Sequence, residues 1–387
     1  MKKVLEIINL PGSAINFIGG QFKYLREEGG YDMHLICSQG EDVESFCKEN
    51  EVHYYPVELR RQVSVWKDIV ALWKICKYIK TNHIDIVIAH QSKARLLGMI
   101  ACVLTRVKHR IIFSHGILYE TMTGVKRWLI IQNEKLTSCL ATKVVCVSHY
   151  VKNQRIKDGV DKPSKQVILG RGSCNGIDTI NKFNPNLIDK DLIEAKRLYY
   201  GINRNDFVVG FCGRLVRDKG VIELIEAFEE LKERHTDKHI KLLVVGEPEI
   251  RDSLPSQTIA SLKESKDIIF TRHIPFCEIQ MYYMLMDVLV LPTHREGFGM
   301  VAIEASAMRI PVVVSDYTGC AETIKENITG LYIDKTPDSI VKAVEKCFDK
   351  DFAKQLGQNG RKFVCENFEH KLIRQDILML LNSFIEN

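Results

Sequence analysis

The run Asp287-Val-Leu-Val-Leu-Pro292, followed by His294-Arg-Glu-Gly-Phe-Gly-Met-Val-Ala-Ile-Glu-Ala305, decides how the chain is read. The apolar run is a strand. It ends at a loop holding Gly297 and Gly299, and a helical pattern opens behind them. The first N–H groups of a helix have no partner inside it and carry the positive end of its dipole, so they suit an anion such as a phosphate. Glycine lets the backbone approach a ligand closely. Glu296 precedes the turn and Glu304 lies one to two helical turns inside it. Carboxylates so placed can reach hydroxyls on either side of a phosphate, and a nucleotide sugar is laid out in that order: sugar, diphosphate, ribose. The plainer reading of the same string is a solvated helix start with favourable acidic residues.

A second stretch, Phe207-Val-Val-Gly-Phe-Cys-Gly-Arg-Leu-Val-Arg-Asp-Lys-Gly220, reads as a strand, a loop and the start of a helix near Val221. Arg214 and Lys219 would stand where a parallel strand ends. Arginine offers a planar fork and lysine a mobile point charge, and both suit a diphosphate. Each charge-assisted bond contributes roughly 1.5–3 kcal/mol. Ordinary surface charge beside a glycine turn is the alternative.

Two histidines in the first half follow apolar runs, His90 after Ile84-Asp-Ile-Val-Ile-Ala and His115 after Arg110-Ile-Ile-Phe-Ser. Open α/β sheets bind ligands at the carboxyl ends of their strands. A structural histidine, satisfied within the fold, is the competing account of each.

Together these pieces resemble the retaining glycosyltransferases of family 4, which have the GT-B fold. Glu296-Gly-Phe-Gly with Glu304-Ala305, the Arg214 and Lys219 loop, and His115-Gly116 carry the resemblance, which spans almost the whole chain and is more specific in the second half. It implies an α/β protein with two Rossmann-like domains, a cleft between them, and a C-terminal helix returning to the first domain. Arg214 and Lys219 would hold the diphosphate and stabilise it as leaving group. Glu296 would position the sugar hydroxyls, Glu304 the ribose, and His115 would steady the transferred sugar. Gly12, Gly213, Ile274, Phe298, Gly299, Met300 and Val301 would complete the donor site, and His90 and Lys93 would meet the acceptor. The family generally needs neither metal nor cofactor. Family members with Gly-Gly-x-Glu after the first strand differ from this chain, in which Gln21 follows Gly20 in what reads as a glycine loop from Leu10 to Gly20.

Composition is compatible. A chain of 387 residues, 45% hydrophobic, is too long for one ordinary core. The net charge of +5 is too mild for a dedicated nucleic-acid binder. Its distribution matters more: residues 1–180 carry 26 Lys/Arg against 17 Asp/Glu, and residues 181–387 carry 28 against 32, so +9 and −4 sum to +5. A basic first half suits an anionic partner. The 12 cysteines show no CxxC pair or zinc-finger spacing, and Cys37, Cys102, Cys146 and Cys212 read as small buried thiols of a reducing cytosol. Glu6 interrupts the apolar N-terminus, which argues against a signal peptide. No dinucleotide fingerprint Gly-x-Gly-x-x-Gly opens a helix, and no Asp-x-Asp follows a strand.

Strand-length apolar runs alternate with helix-period segments, near 3–9, 32–37, 84–89, 110–114, 143–147 and 166–169, and again near 207–212, 240–245, 267–270, 287–291, 311–315 and 331–333. Nearly all-apolar strands alternating with helices mean parallel sheets covered on both faces. The expected divisions are 1–180, an acceptor-binding domain, 200–368, a nucleotide-sugar domain, and 369–387, the returning helix. The segment from Arg60 and Arg61 through Trp66 and Trp73 to Lys80 is amphipathic, with Ile69, Leu72, Trp73, Cys76 and Ile79 as its expected core face. It reads as a crossover helix with a solvated basic face, or as a face resting on anionic lipid.

The expected function is transfer of a hexosyl or N-acetylhexosaminyl group from a nucleotide sugar, UDP-linked by resemblance, to a glycan or polyprenyl-diphosphate-linked acceptor in surface polysaccharide synthesis. The expected place is the cytoplasm or the inner face of the membrane. A sugar-nucleotide epimerase of GT-B fold and a non-catalytic nucleotide-sugar binder remain the alternatives.

Overall fold

Strands such as Ile86–Ala89, Val288–Leu291 and Val312–Ser315 are buried along their whole length. Strands apolar on both faces must be covered on both, and here helices cover them. The computed structural model describes residues 1–60, 62, 64–249 and 252–384; the expectation for Arg61 lies outside them. It divides into two compact units, Met1–Gly176 with His370–Asn387, and Ile177–Glu369.

In the first unit β1 (Lys3–Ile7), β2 (Asp32–Cys37), β3 (His53–Pro56), β4 (Ile86–Ala89), β5 (His109–Ser114), β6 (Lys143–Cys146) and β7 (Gln166–Val167) form a parallel sheet in the order β3-β2-β1-β4-β5-β6-β7. The second unit holds β8 (Phe207–Cys212), β9 (Ile240–Val245), β10 (Ile268–Arg272), β11 (Val288–Leu291), β12 (Val312–Ser315) and β13 (Leu331–Ile333), all parallel, ordered β10-β9-β8-β11-β12-β13. Both orders reverse at their first strand. Doubly wound sheets open a ligand crevice at that switch, outside the strands' carboxyl ends. The switch lies between β1 and β4 in one unit and between β8 and β11 in the other.

The C-terminal helix His370–Asn382 packs within the first unit. Tyr31 donates its hydroxyl to Asn382 at 2.8 Å, and Phe384 lies against His109 with ring centroids 5.0 Å apart. Ile373, Ile377 and Leu381 are its buried stripe.

Three sequence expectations change. Strand β3 was not anticipated: His-Tyr-Tyr-Pro is half polar, lies at the sheet edge and ends on a proline, all of which mask a strand pattern. The segment after β1 is not a glycine loop but helix from Pro11, with a π turn at Ala14–Ile18 and regular helix over Gly19–Glu27. In the helix Val65–Asn82 the buried residues are Ala71, Ile75 and Ile79, whereas Ile69 and Trp73, expected in the core, are exposed. The stripe at Ala71, Ile75 and Ile79 recurs every four residues and is the narrower one. The helix packs on the helix Ser92–Thr105, and the bulkier residues Ile69 and Trp73 are left in solvent.

Candidate active site

In the second unit, the end of β8 and the end of β11 converge. Gly213, with φ of +153°, turns the chain out of β8. Gly220 (φ +69°) caps the helix Val221–Arg234, and a Cβ there would lie 1.9 Å from the Pro292 carbonyl. Only glycine lets the two loops touch. Asp218 laces them together: its carbonyl accepts the His294 N–H at 2.8 Å and the Thr293 hydroxyl at 3.0 Å, and its carboxylate pairs with Arg295. Nothing in the sequence singled out Asp218, because its work is to hold a neighbouring loop.

This lacing brings Lys219 onto Glu296, with which it forms an ion pair. Burial opposes the charge on each, but the opposite charge outweighs it: the Glu296 carboxyl is held below the usual carboxylate range and the Lys219 ammonium above its own. Arg214 is exposed and pairs with Glu249 at 3.0 Å. Both cations stand at the carboxyl end of β8, the placement read from the sequence.

Gly299 (φ +93°) begins the helix Met300–Ala307, and a Cβ on it would meet the Cys320 sulfur at 2.6 Å. Met300 and Val301 open that helix half-exposed. Phe298 is buried edge-on against Phe368 at 5.3 Å, so its ring belongs to the core and only its backbone faces the turn. Ile274 is half-buried beyond the end of β10.

Glu304 is buried, and Tyr283 donates its hydroxyl to Glu304 Oε2 at 2.7 Å. Burial pushes the Glu304 carboxyl up to about 7, while the Tyr283 bond and nearby Lys182 pull it down. Burial also lowers Lys182 to about 8, against the pull of Glu304. The Lys182 ammonium lies over the rings of Phe276 and Phe183. Tyr283, Lys182 and Phe276 are the neighbours that sequence reading missed. They lie far from Glu304 along the chain and belong to no motif.

In the first unit, His90 follows β4 and is fully buried, stacked on Phe113 at 4.8 Å. Its Nε2 lies 2.6 Å from Glu6 Oε2 and its Nδ1 lies 3.0 Å from His115 Nε2. Glu6, in the middle of β1, is fully buried and its Oε1 has no hydrogen-bond partner. The three form a chain, Glu6–His90–His115. Burial, then the adjoining His90, lowers His115 well below its usual range, so it is a neutral imidazole at pH 7. His90 thus serves His115 through its ring and stands behind it.

Gln91 takes φ 62° and ψ 153°, a region nearly reserved for glycine. Its side chain holds it there: Oε1 accepts the Asn9 N–H at 3.1 Å and Nε2 donates to Ser13 Oγ at 3.2 Å. Such strain concentrates at functional sites, and here it sits beside His90 at the β1/β4 switch. Lys93 donates to Asp68 at 2.7 Å and to the Gln62 carbonyl at 2.5 Å, so its charge is already engaged within the unit. Gly12 lies in a helical turn where a Cβ would meet nothing. All twelve cysteines are free thiols; Cys37, Cys102 and Cys146 are buried and Cys212 is half-buried. No helix among the described residues is long and apolar enough to cross a membrane.

Comparison with known proteins bears on the family and the fold. Residues 193–363 match the family model for glycosyl transferases group 1, and residues 16–172 match that for the glycosyl transferase 4-like domain. The capsular polysaccharide biosynthesis glycosyltransferase CapM of Staphylococcus aureus is 30% identical over 387 residues, covering 100% of this chain and 98% of that protein. A UDP-Gal:alpha-D-GlcNAc-diphosphoundecaprenol alpha-1,3-galactosyltransferase of Escherichia coli is 27% identical, covering 90% of this chain and 88% of that one. Among solved structures, a glycosyltransferase from Rickettsia africae superposes with a TM-score of 0.80 at 21% identity, covering 100% of this chain and 99% of that one. An Anabaena protein crystallised with UDP-glucose gives a TM-score of 0.80 at 18% identity, covering 99% and 100%. The chain is a glycosyltransferase of group 1, family 4, with the GT-B fold, related to enzymes of capsular polysaccharide and undecaprenol-linked glycan synthesis.

Proposed function

We propose that this enzyme moves a hexose or N-acetylhexosamine from a UDP-sugar to a glycan or polyprenyl-diphosphate-linked acceptor, with retention at the anomeric carbon. The observation that carries this reading is the convergence of Lys219, Glu296 and Arg214 where β8 and β11 end. The printed names of the relatives support it: the E. coli enzyme uses UDP-Gal and a diphosphoundecaprenol-linked sugar, and the Anabaena protein binds UDP-glucose.

In this mechanism the bond between the anomeric carbon and the diphosphate oxygen breaks, and negative charge grows on the leaving diphosphate. Arg214, Lys219 and the first N–H groups of the helix Met300–Ala307 take up that charge. Fixed cations aimed at charge that develops during the reaction lower the barrier more than they tighten ground-state binding. The acceptor hydroxyl attacks the same face, and its proton passes to the departing phosphate oxygen. Glu296 orients the sugar hydroxyls and Glu304 accepts from the ribose hydroxyls, and the neutral His115 takes the sugar-steadying role that the family resemblance gives it. Chain cations occupy the role a divalent ion would fill at the diphosphate, so transfer should persist in excess chelator.

The acceptor reading draws on the first unit's surface. The helix Val65–Asn82 exposes Trp66 by 82%, Trp73 by 61%, Ile69 by 53% and Val70 by 52%. The helix Gly124–Leu140 exposes Val125, Trp128 and Leu129, and both helices pack against Ser92–Thr105. Lys67, Lys74, Lys77 and Lys126 stand among these apolar residues. A pocket of about 210 Å³, lined by Val57, Trp66, Val70, Ala71, Lys67 and Lys74, opens on the same helix. Exposed tryptophans rimmed by lysines suit an anionic bilayer, where a polyprenyl carrier would reside. The enzyme would then work from the cytoplasmic face as a peripheral protein.

A thermal-shift screen of nucleotide sugars tests the donor assignment, since a ligand at 100 times its Kd adds about 2.7 kcal/mol of stability. UDP-sugars should raise the melting temperature most. Equal indifference to every nucleotide sugar would overturn the reading.

A further inference from the structure

Three ligand-type side chains meet at the opposite end of the first sheet from His90 and His115. Asp32 and His34 are two residues apart in β2 and so share one face. His53 opens β3 and is the direct cross-strand partner of His34. Asp32 Oδ1 lies 3.2 Å from His53 Nε2, and Asp32 Oδ2 lies 3.4 Å from His34 Nε2. One donor atom from each residue falls within 4.8 Å of the others.

The second observation is His34 itself. It is only 2% exposed, yet its Nε2 makes no hydrogen bond; the Asp32 oxygen near it is poorly aligned. A buried ring nitrogen without a hydrogen-bond partner is destabilising unless something partners it. Its other nitrogen, Nδ1, lies 2.9 Å from the Tyr78 hydroxyl, and Tyr78 in turn stacks on Tyr55 at 4.8 Å. A ligating histidine is characteristically fixed in this way through its second nitrogen. The His34 and His53 rings stack with centroids 4.7 Å apart, which turns both Nε2 atoms toward the same carboxylate.

We propose that Asp32, His34 and His53 form a binding site for one divalent transition cation of the zinc type. Two imidazoles and a carboxylate at about 2.0–2.2 Å are an ordinary zinc ligand set, and water would fill the fourth position on the exposed His53 side. The ion would satisfy the orphaned His34 nitrogen and clip edge strand β3 to β2. Lys3 is a competing cation, with Nζ 4.0 Å from Asp32 Oδ2; it is partly exposed and can withdraw into water. The site goes beyond the glycosyl-transfer reading and does not depend on it, since these residues stand at the amino ends of β2 and β3, away from the β1/β4 switch.

The test uses the full chain, stripped with chelator and then titrated with Zn²⁺ alone. One ion per chain should remain after gel filtration, with a higher melting temperature. Co²⁺ should give the intense visible bands of a four-coordinate nitrogen-and-oxygen site. Because His34 is buried and its variants risk unfolding, the variant is His53→Gln, exposed at the sheet edge. It should melt like the stripped wild type, bind Zn²⁺ at least roughly tenfold more weakly, and lose the Co²⁺ bands. Wild type and His53→Gln binding alike, or wild type retaining no ion, would overturn the proposal.

Discussion

Lys219 is ion-paired with Glu296, 77 residues further along the chain. The pair joins the loop after β8 to the loop after β11, so the residue assigned to the diphosphate and the residue assigned to the sugar are one electrostatic unit. Lys219→Ala should lower kcat on the order of 10²–10³-fold, the usual effect of removing a group that meets developing charge. Glu296→Gln should cause a smaller loss that falls on the sugar donor rather than on free UDP. Groups in contact are not additive, so the double variant should turn over about as slowly as Lys219→Ala alone. Steady-state kinetics of the four proteins checks this; multiplicative losses would mean the two residues act independently.

Glu304, raised to about 7, sets a pH dependence. Accepting ribose hydroxyls requires the carboxylate, so nucleotide-sugar affinity should fall as pH drops through 7, with proton release on binding near pH 6. An intact nucleotide sugar is the right ligand, because its diphosphate does not titrate in this range. Stability runs the other way. The folded state holds a proton that the unfolded state loses near 4.5, so stability is greatest below 4.5 and declines as pH rises to about 7. Tyr283→Phe removes a donor to the carboxylate and should move the affinity profile to higher pH, with about 1 kcal/mol lost from stability at pH 8. Calorimetry in two buffers reads the proton release; a profile flat from pH 5.5 to 8 would contradict the ribose assignment.

The Glu6–His90–His115 chain makes Glu6 a positioning residue. A carboxylate at Glu6 accepts from His90 Nε2, His90 Nδ1 then accepts from His115 Nε2, and His115 Nδ1 is left as an acceptor. Glu6→Leu should lower turnover on the order of 10–100-fold, as loss of a supporting hydrogen bond does elsewhere. UDP affinity should stay unchanged, because the nucleotide grip lies in the other unit. Glu6→Gln keeps an acceptor oxygen and should recover part of the loss. Full turnover in Glu6→Leu would remove Glu6 from the account.

Trp66 and Trp73 make the membrane reading concrete. The protein should sediment with anionic liposomes, less with neutral ones, and less again at high salt. Lys67→Glu, Lys74→Glu and Lys77→Glu together should release it, each lysine contributing roughly 1 kcal/mol near anionic lipid. Trp66→Ala with Trp73→Ala should weaken the binding to anionic vesicles while the remaining binding keeps its salt dependence. Equal recovery on neutral and anionic vesicles would contradict the charge argument.

Much of the architecture was legible because parallel strands buried on both faces are apolar throughout, as Val288–Leu291 and Val312–Ser315 are. What escaped was polar or paired over long distances. Edge strand His53–Pro56 lacks an apolar run. Asp218, Tyr283 and Glu6 act through partners that no local spacing reveals. In the helix Val65–Asn82 the expected core face holds at Ile79 but not at Ile69 and Trp73, because large apolar residues outweigh alanine in a periodic pattern while Ala71 and Ile75 are the residues buried. Arg214, Lys219 and Glu296 stood out because each lies beside a glycine turn after an apolar strand, and Glu304 because it follows that turn at helical spacing.

Incubation with an α-linked UDP-sugar and a polyprenyl-diphosphate-linked sugar acceptor, followed by NMR of the product's anomeric centre, tests the central claim most directly. The prediction is UDP release coupled one-to-one to a new α-glycosidic bond, unaffected by chelator and abolished by Arg214→Ala together with Lys219→Ala. A β-linked product, or an epimerised UDP-sugar formed without any acceptor, would contradict it.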